Sequence, residues 1–245
     1  MKGFFIDVQG TLIDDKEYKP IDGAIEFLEF LNEKKIPFAL LTNNTKREDF
    51  KEYLKSLGFK FRYYLDPLML LDEVIKEPIA PFGSSKFLEI MKKYKIDYSN
   101  PKQVVIGLKI YSPDEIAEII ELLLKENELI GMHKTSLYHK NSKRYPGLGA
   151  ILEMLKYATD KDAKVLGKPS KEFFNRASEM IGVGFDKITI ISDDLKGDLL
   201  PAKELGMKTY LVLSGKVKSQ KEIIKRPDKV YKSVKEILEE MKKNG

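Results

Sequence analysis

The chain has 245 residues, 42% of them apolar, enough to bury the core of one large domain or two modest ones. Its lack of cysteine excludes a disulfide framework, a zinc–thiolate site and thiol catalysis, so oxygen and nitrogen groups must carry any chemistry and hard cations are the fitting metals. The net charge of +5 is spread over a surface that mixes Lys and Glu, the texture of a solvated exterior and not of a nucleic-acid stripe; there is no apolar signal core and no run near the ~20 residues that span a bilayer, so the expected setting is cytoplasmic, with neither nucleic acid nor membrane as partner.

Lys2 to Val8 reads as an apolar strand that places Asp7 at its carboxyl end, just before a glycine-punctuated turn. Ligands of open α/β sheets sit outside such strand ends, although an ordinary acid opening an Asx-turn gives the same pattern, and both readings stay open here. Acids at Asp14, Asp15 and Glu17 follow in the turn region, and Asp22 is the expected N-cap of an amphipathic helix carrying Ala24, Ile25, Phe27, Leu28 and Leu31 at helical spacing. A short apolar strand at Pro37–Thr42 has the pattern of a parallel strand covered on both faces, and a helix from about Lys46 to Leu57 should stop at Gly58.

Between Phe59 and Lys164 the texture changes. Tyr63 and Tyr64 read as hinge packing, after which helices at 67–75, 84–94, 113–125 and 149–158 alternate with strands at 79–82, 103–108, 129–132 and 137–139. His133 and His139, the only histidines, fall in strand segments; Gly147-Leu148-Gly149 reads as a turn and helix start. The first domain then resumes with a strand at 163–166, helices at 170–181 and 197–205, strands at 187–192 and 208–213, and a β–α element over 229–242. This alternation specifies a parallel sheet.

Four stretches in order carry a resemblance. Asp7-Val8-Gln9-Gly10-Thr11-Leu12 is similar to the first motif of the haloacid dehalogenase superfamily, Asp-x-Asp-Gly-Thr-Leu; Leu40-Leu41-Thr42-Asn43-Asn44 resembles its second, Gly167-Lys168-Pro169 its third, and Ser192 through Asp198 its acidic fourth. The Thr-Asn-Asn form and the long insert resemble the nitrophenylphosphatase-like branch with a type II cap. Gln9 departs from the usual acid, as in the subgroup that includes the phospholysine phosphohistidine inorganic pyrophosphate phosphatase, which shares the flavour of 129–134 and 153–160.

The resemblance implies an α/β fold: a doubly wound, Rossmann-like parallel-sheet core over 1–65 and 164–245, and an inserted α/β cap over 66–163 that chooses the substrate. It implies a Mg²⁺-dependent phosphohydrolase in which Asp7 is the nucleophile, Asp7, Asp193 and the Gln9 backbone carbonyl hold the cation, and Asp198 orients that shell. Val8, Gln9, the Thr42 hydroxyl, the Asn43 backbone N–H and the Lys168 ammonium would face the phosphoryl group of a small phosphorylated substrate. The plain readings, N-capping or surface acids at 193, 194 and 198 and a surface lysine at 168, stand beside these roles.

In the superfamily the second acid protonates the leaving group and later deprotonates water, and an amide at Gln9 cannot. Three outcomes stay open: leaving groups that need little protonation (phosphoramidate, pyrophosphate, acyl or aryl phosphate), a substitute acid drawn from Asp14, His133 or His139, or a pseudo-phosphatase that binds phosphorylated ligands without turnover. A homodimer is as compatible with the sequence as a monomer.

Overall fold

The computed structural model describes residues 2–140, 143–223 and 225–244 and, within them, every side chain but those of His139 and Lys140. It divides into two compact units, one formed by Met1–Thr42, Asp49–Leu65 and Lys171–Gly245, the other by Asn43–Glu48 and Asp66–Ser170.

The first unit opens with β1 (Gly3–Asp7), an almost wholly buried apolar strand. Behind it the chain winds tightly, because the Val8 carbonyl accepts the N–H groups of Leu12 and Ile13 at 2.8 and 3.0 Å. α1 (Ala24–Glu33) turns Ala24, Phe27, Leu28, Phe30 and Leu31 inward. Its N-cap is Gly23 in the left-handed region and not Asp22, whose carboxylate instead pairs with Lys235 at 2.8 Å. β2 (Phe38–Leu41) is buried throughout, as a strand covered on both faces must be. α2 (Phe50–Ser56) begins four residues later than its apolar spacing suggested, and the polar stretch 43–48 belongs to the second unit. β3 (Tyr63–Leu65) pairs in parallel with β2, so Tyr63 and Tyr64 are strand residues.

The inserted unit continues with α3 (Pro67–Val74), whose first turn is closed by Asp66 accepting the Met69 N–H at 3.0 Å, then β4 (Ile79–Phe82) and α4 (Ser85–Met91). β5 (Gln103–Ile106) leads to α5 (Pro113–Leu124), which starts with a full Ser112/Glu115 capping box, and to β6 (Glu128–Gly131). An antiparallel hairpin of β7 (Leu137–Lys140) and β8 (Lys143–Pro146) precedes α6 (Leu148–Thr159). β9 (Ala163–Val165) pairs with β6 and completes a parallel sheet in the order β4-β5-β6-β9. That strand was expected in the first unit; its residues Ala-Lys-Val are too few and too mixed to carry a burial pattern that would assign a sheet. Val104, Val105, Ile106 and Ile130 are fully buried, so this sheet has its own core.

The chain returns to the first unit with α7 (Lys171–Ile181), β10 (Ile188–Ser192), α8 (Leu200–Glu204), β11 (Lys208–Val212), β12 (Lys229–Tyr231) and α9 (Val234–Asn244). Before α8, residues Leu195–Leu199 form a single π-turn where a continuous helix from Gly197 was expected. The sheet order is β12-β11-β10-β1-β2-β3, with every pairing parallel. α7 covers one face, where Phe5 and Phe174 stack with centroids 6.1 Å apart, and α1 packs beside α9 on the other, over Ile6, Leu40, Ile191 and Val212. From β1 the chain builds outward to one side through β2 and β3, and later to the opposite side through β10, β11 and β12, so the strand order reverses between β1 and β10. A crevice at such a reversal is where doubly wound sheets hold ligands.

Candidate active site

The first unit gathers Asp7, Gln9, Thr42, Asp193 and Asp198 at the carboxyl ends of β1, β2 and β10. The registers Ile6–Ile191 and Asp7–Leu41 put Asp7 and Asp193 on either side of the reversal point and Thr42 just beyond the end of β2. Asp7 is 7% exposed and accepts the Thr11 hydroxyl at 3.1 Å; Asp193 is 1% exposed and accepts the backbone N–H of Lys216 at 2.6 Å. Burial first, and then the charge of Asp7, push the Asp193 carboxyl well above the usual carboxylate range, with Lys216 opposing the shift.

Two glycines let the backbone close on Asp193. At Gly10, which has a positive φ of 78°, a Cβ would fall 2.2 Å from the Asp193 Oδ2, and at Gly215 it would fall 1.8 Å from the same atom. The loop after β11 is thus a wall of the site, fastened by the Ser214 hydroxyl donating to the Gly10 carbonyl at 2.7 Å. Sequence reasoning missed this loop; the available signal was Ser214-Gly215-Lys216 following another apolar strand of the same sheet. Lys216 also pairs through Nζ with Asp194 at 2.5 Å. Desolvation lowers the pKa of this ammonium, but the carboxylates of Asp194, Asp193 and Asp198 outweigh it and hold it above the ordinary lysine value.

The remaining acids of the fourth motif are structural partners. Asp194 caps the π-turn, accepting the Gly197 N–H at 2.7 Å, and Asp198 accepts the Ser192 hydroxyl at 2.7 Å, while that hydroxyl's oxygen receives the Asp194 N–H at 3.0 Å. Asp198 is therefore fixed to the last residue of β10, beside Asp193 in the chain and buried with it.

Gln9 turns its amide to Thr42, whose hydroxyl donates to Oε1 at 3.1 Å. The Val8 side chain lies in the core, so only its backbone faces outward chemistry. Asp14, considered as a replacement acid, has its carboxylate engaged by the N–H groups of Lys16, Glu17 and Lys19 at 2.9, 2.6 and 2.8 Å. These bonds, led by that from Glu17, lower its pKa, and the carboxylate clamps the loop. Its neighbour Asp15 shifts the other way: crowding by the protein and then the charge of Asp7 raise its carboxyl above the ordinary value.

Asn43 and Lys168 belong to the inserted unit and meet there. The Asn43 side chain clasps the Lys168 backbone both ways, accepting its N–H at 2.8 Å and donating to its carbonyl at 3.3 Å. The backbone N–H had been the expected working part of Asn43; the side chain turns out to fix the third motif. Lys168 is 2% exposed and precedes a cis peptide bond to Pro169. His133 is buried just past β6 and accepts the Thr135 N–H through Nδ1 at 3.4 Å, the behaviour of a packed strand-end residue, and the His139 side chain lies outside the described residues.

Among the described residues no three His, Cys, Asp or Glu side chains form a metal site by themselves, and no helix is long and apolar enough to cross a membrane. The donor set at the reversal point is nevertheless one that suits a hard divalent cation: two carboxylates, one deeply buried and electrostatically burdened by the other.

The fold and these strand-end acids define a doubly wound α/β protein with an inserted α/β unit and a carboxylate site at the strand reversal. A haloacid dehalogenase-like hydrolase family model matches residues 4–97, and a HAD-hydrolase-like model matches residues 165–237. The haloacid dehalogenase-like hydrolase domain-containing protein 2 of Bos taurus is 30% identical over 230 residues, covering 91% of this chain and 88% of that protein. The phospholysine phosphohistidine inorganic pyrophosphate phosphatase of Danio rerio is 28% identical, covering 91% and 86%. Among solved structures, the p-nitrophenyl phosphatase from Archaeoglobus fulgidus shares the fold with a TM-score of 0.80 at 21% identity, covering 98% of each chain. The chain belongs to the haloacid dehalogenase-like hydrolase family.

Proposed function

We propose that the protein is a Mg²⁺-dependent phosphohydrolase of small phosphorylated compounds, working through an aspartyl-phosphate on Asp7. The observation that carries this reading is the pairing of Asp7 and Asp193 across the strand reversal, with Asp193 burdened by its neighbour's charge. When bound between these carboxylates and the Gln9 carbonyl, the cation supplies charge neutralisation for an incoming phosphoryl group.

In the first step an Asp7 carboxylate oxygen forms a bond to phosphorus while the bond to the leaving group breaks, the electron pair departing with that group. In the second, water attacks the same phosphorus while the bond from phosphorus to the Asp7 oxygen breaks, its electron pair returning to the carboxylate and the water's proton passing to the phosphate formed or to solvent, so that inorganic phosphate leaves and Asp7 is restored. Thr42 orients the phosphoryl oxygens. The Thr42 hydroxyl, which donates to Gln9 Oε1 at 3.1 Å, turns that proton to the phosphate when a substrate is bound. Lys168, held by Asn43, is the counter-charge of the inserted unit, which acts as the substrate-selecting cap; Asp198 keeps the fourth motif in place through Ser192.

Because Gln9 supplies no proton, the favoured substrates are those whose leaving group departs readily as an anion or is already protonated: pyrophosphate, acyl and aryl phosphates and phosphoramidates. The Danio rerio relative's name points to the same class. The test is hydrolysis of p-nitrophenyl phosphate, pyrophosphate and a phosphoramidate with Mg²⁺ by the wild-type and Asp7→Asn proteins. Turnover by the first and none by the second is expected; equal inertness of both across the panel, with phosphorylated ligands still bound, would make the protein a binding module instead.

A further inference from the structure

The second half of the proposed reaction needs a base. Water that attacks a phosphorylated Asp7 must shed a proton, and Gln9, an amide, cannot take it. The loop that leaves β1 carries a carboxylate suited to the task.

That loop is braced where it leaves the site. The Gly10 N–H donates to the Ile13 carbonyl at 2.8 Å, Gln9 and Ile13 form an isolated parallel bridge, and Leu12 and Ile13 are fully buried. The chain therefore emerges at Asp14 next to a residue paired with Gln9. On the return, the Asp14 N–H donates to the Lys19 carbonyl at 3.0 Å and the Ile21 N–H to the Leu12 carbonyl at 2.8 Å, which closes a small loop with residues 15–18 at its tip. The Asp14 carboxylate is occupied by three amides of this tip. That of Asp15 accepts no hydrogen bond among the described residues, and Asp15 is exposed.

The charges around Asp15 are those of the site. The carboxylates of Asp7 and Asp193 both interact with it, as do the Asp14 carboxylate and the ammonium groups of Lys216 and Lys218. Both lysines stand on the loop after β11, which the Ser214 hydroxyl fastens to the Gly10 carbonyl at 2.7 Å. Asp15 thus lies between the loop that follows the nucleophile and the loop that walls Asp193. Its raised pKa makes it a better proton acceptor than an ordinary carboxylate.

We infer that Asp15 is the base of the second step, standing in for the acid that Gln9 replaces. The inference rests on the aspartyl-phosphate reading of the proposed function. As the water oxygen bonds to phosphorus and the bond from phosphorus to the Asp7 oxygen breaks, its electron pair returning to Asp7, a water proton moves to an Asp15 carboxylate oxygen. From this exposed position it passes to solvent. Asp15 enters that step as a carboxylate and donates nothing in the first, so the preference for leaving groups that depart readily is unaffected.

Rapid-quench turnover of p-nitrophenyl phosphate with Mg²⁺ by the full chain separates the two steps. Asp15→Asn should give a burst of p-nitrophenol as fast as the wild type, then turn over about 10²-fold more slowly while phosphorylated chain accumulates, as seen by intact mass. Decay of the phosphorylated wild type should slow in acid as the Asp15 carboxylate is protonated, and decay of Asp15→Asn should be flat with pH, which a merely structural role would not produce. Asp15→Glu should recover most of the rate, and Glu17→Gln, which removes another acid of the same loop tip, should match the wild type. Equal slowing of both steps, unchanged decay, or an acid limb that survives in Asp15→Asn would overturn the inference; with an active wild type and a dead Asp7→Asn protein, the phosphohydrolase itself would still stand. A wild type that neither turns over nor becomes phosphorylated would sink that reading, and the inference with it.

Discussion

Replacing Asp193 by Asn should make the metal-free protein more stable while removing its activity. Asp193 has its folded-state pKa raised by burial and by the charge of Asp7. A group shifted in that direction favours the fold below its unfolded pKa of about 3.9, and the benefit is lost as pH rises through the folded value, so at neutral pH the carboxylate is a net burden. Two like charges that meet in one site repel by about a few kcal/mol at an effective dielectric near 20. The Asn side chain keeps an oxygen for the Lys216 N–H, but the Lys216 ammonium loses one of the carboxylates that hold its pKa up, which offsets part of the gain. A net stabilisation of about 1–2 kcal/mol remains, or roughly 2–8 °C in Tm for a chain of this size. Thermal unfolding followed by circular dichroism at pH 7 in EDTA should show the variant melting above the wild type. Added Mg²⁺ should raise the wild-type Tm and leave the variant's unmoved, since only the wild type has the full acid pair to bind it. A variant that melts lower in EDTA, or responds to Mg²⁺ as the wild type does, would refute the electrostatic account of this pair.

Three further outcomes follow from the geometry. Gly215→Ala would drive a Cβ to 1.8 Å from the Asp193 carboxylate, so the loop or the acid must shift; kcat/KM for p-nitrophenyl phosphate should fall about 10²-fold with the far-ultraviolet dichroism retained. Gln9→Asp should raise turnover of alkyl phosphates by about 10- to 100-fold and that of aryl phosphates much less, and equal gains would argue against the role assigned to this position. Desolvation raises the pKa of Asp228, but its bonds to Lys203 at 3.0 Å and to the Thr209 N–H and hydroxyl, both at 2.8 Å, outweigh it and leave the value lowered. Asp228→Ala should therefore lose about 1–2 kcal/mol in urea titrations at pH 7, discounted for the solvent access of the pair, and the deficit should shrink as pH falls below about 4 and the wild-type carboxylate is protonated.

The strand-end positions of Asp7, Thr42 and Asp193 were legible because parallel strands covered on both faces are written as unbroken apolar runs, and a polar residue that ends such a run stands out. The helices with clear apolar stripes, α1, α5 and α7, were legible for the same kind of reason. What escaped had no pattern to show. β9 is three residues long and mixed in burial, so only its partner β6 decides which sheet it joins. The polar segment 43–48 is similar in composition to a helix start, yet α2 waits for the first buried apolar residue after it, Phe50. Asp14 and Asp15 are indistinguishable in sequence, but one is captured by three backbone amides and the other feels Asp7. Gly215 shows in sequence only as a turn after an apolar strand; its close approach to an acid 22 positions away leaves no trace in either neighbourhood.

The place of β1 in its sheet has a consequence for how the protein is made. This strand is made well before one of its two partners, β10, which begins only at Ile188. At typical synthesis rates of about 5–20 residues per second, one edge of the central strand waits on the order of ten seconds or more for its neighbour. Throughout that interval a flat apolar edge is open to other nascent chains, so the yield of native protein should depend on crowding and on chaperones that shield such edges during translation.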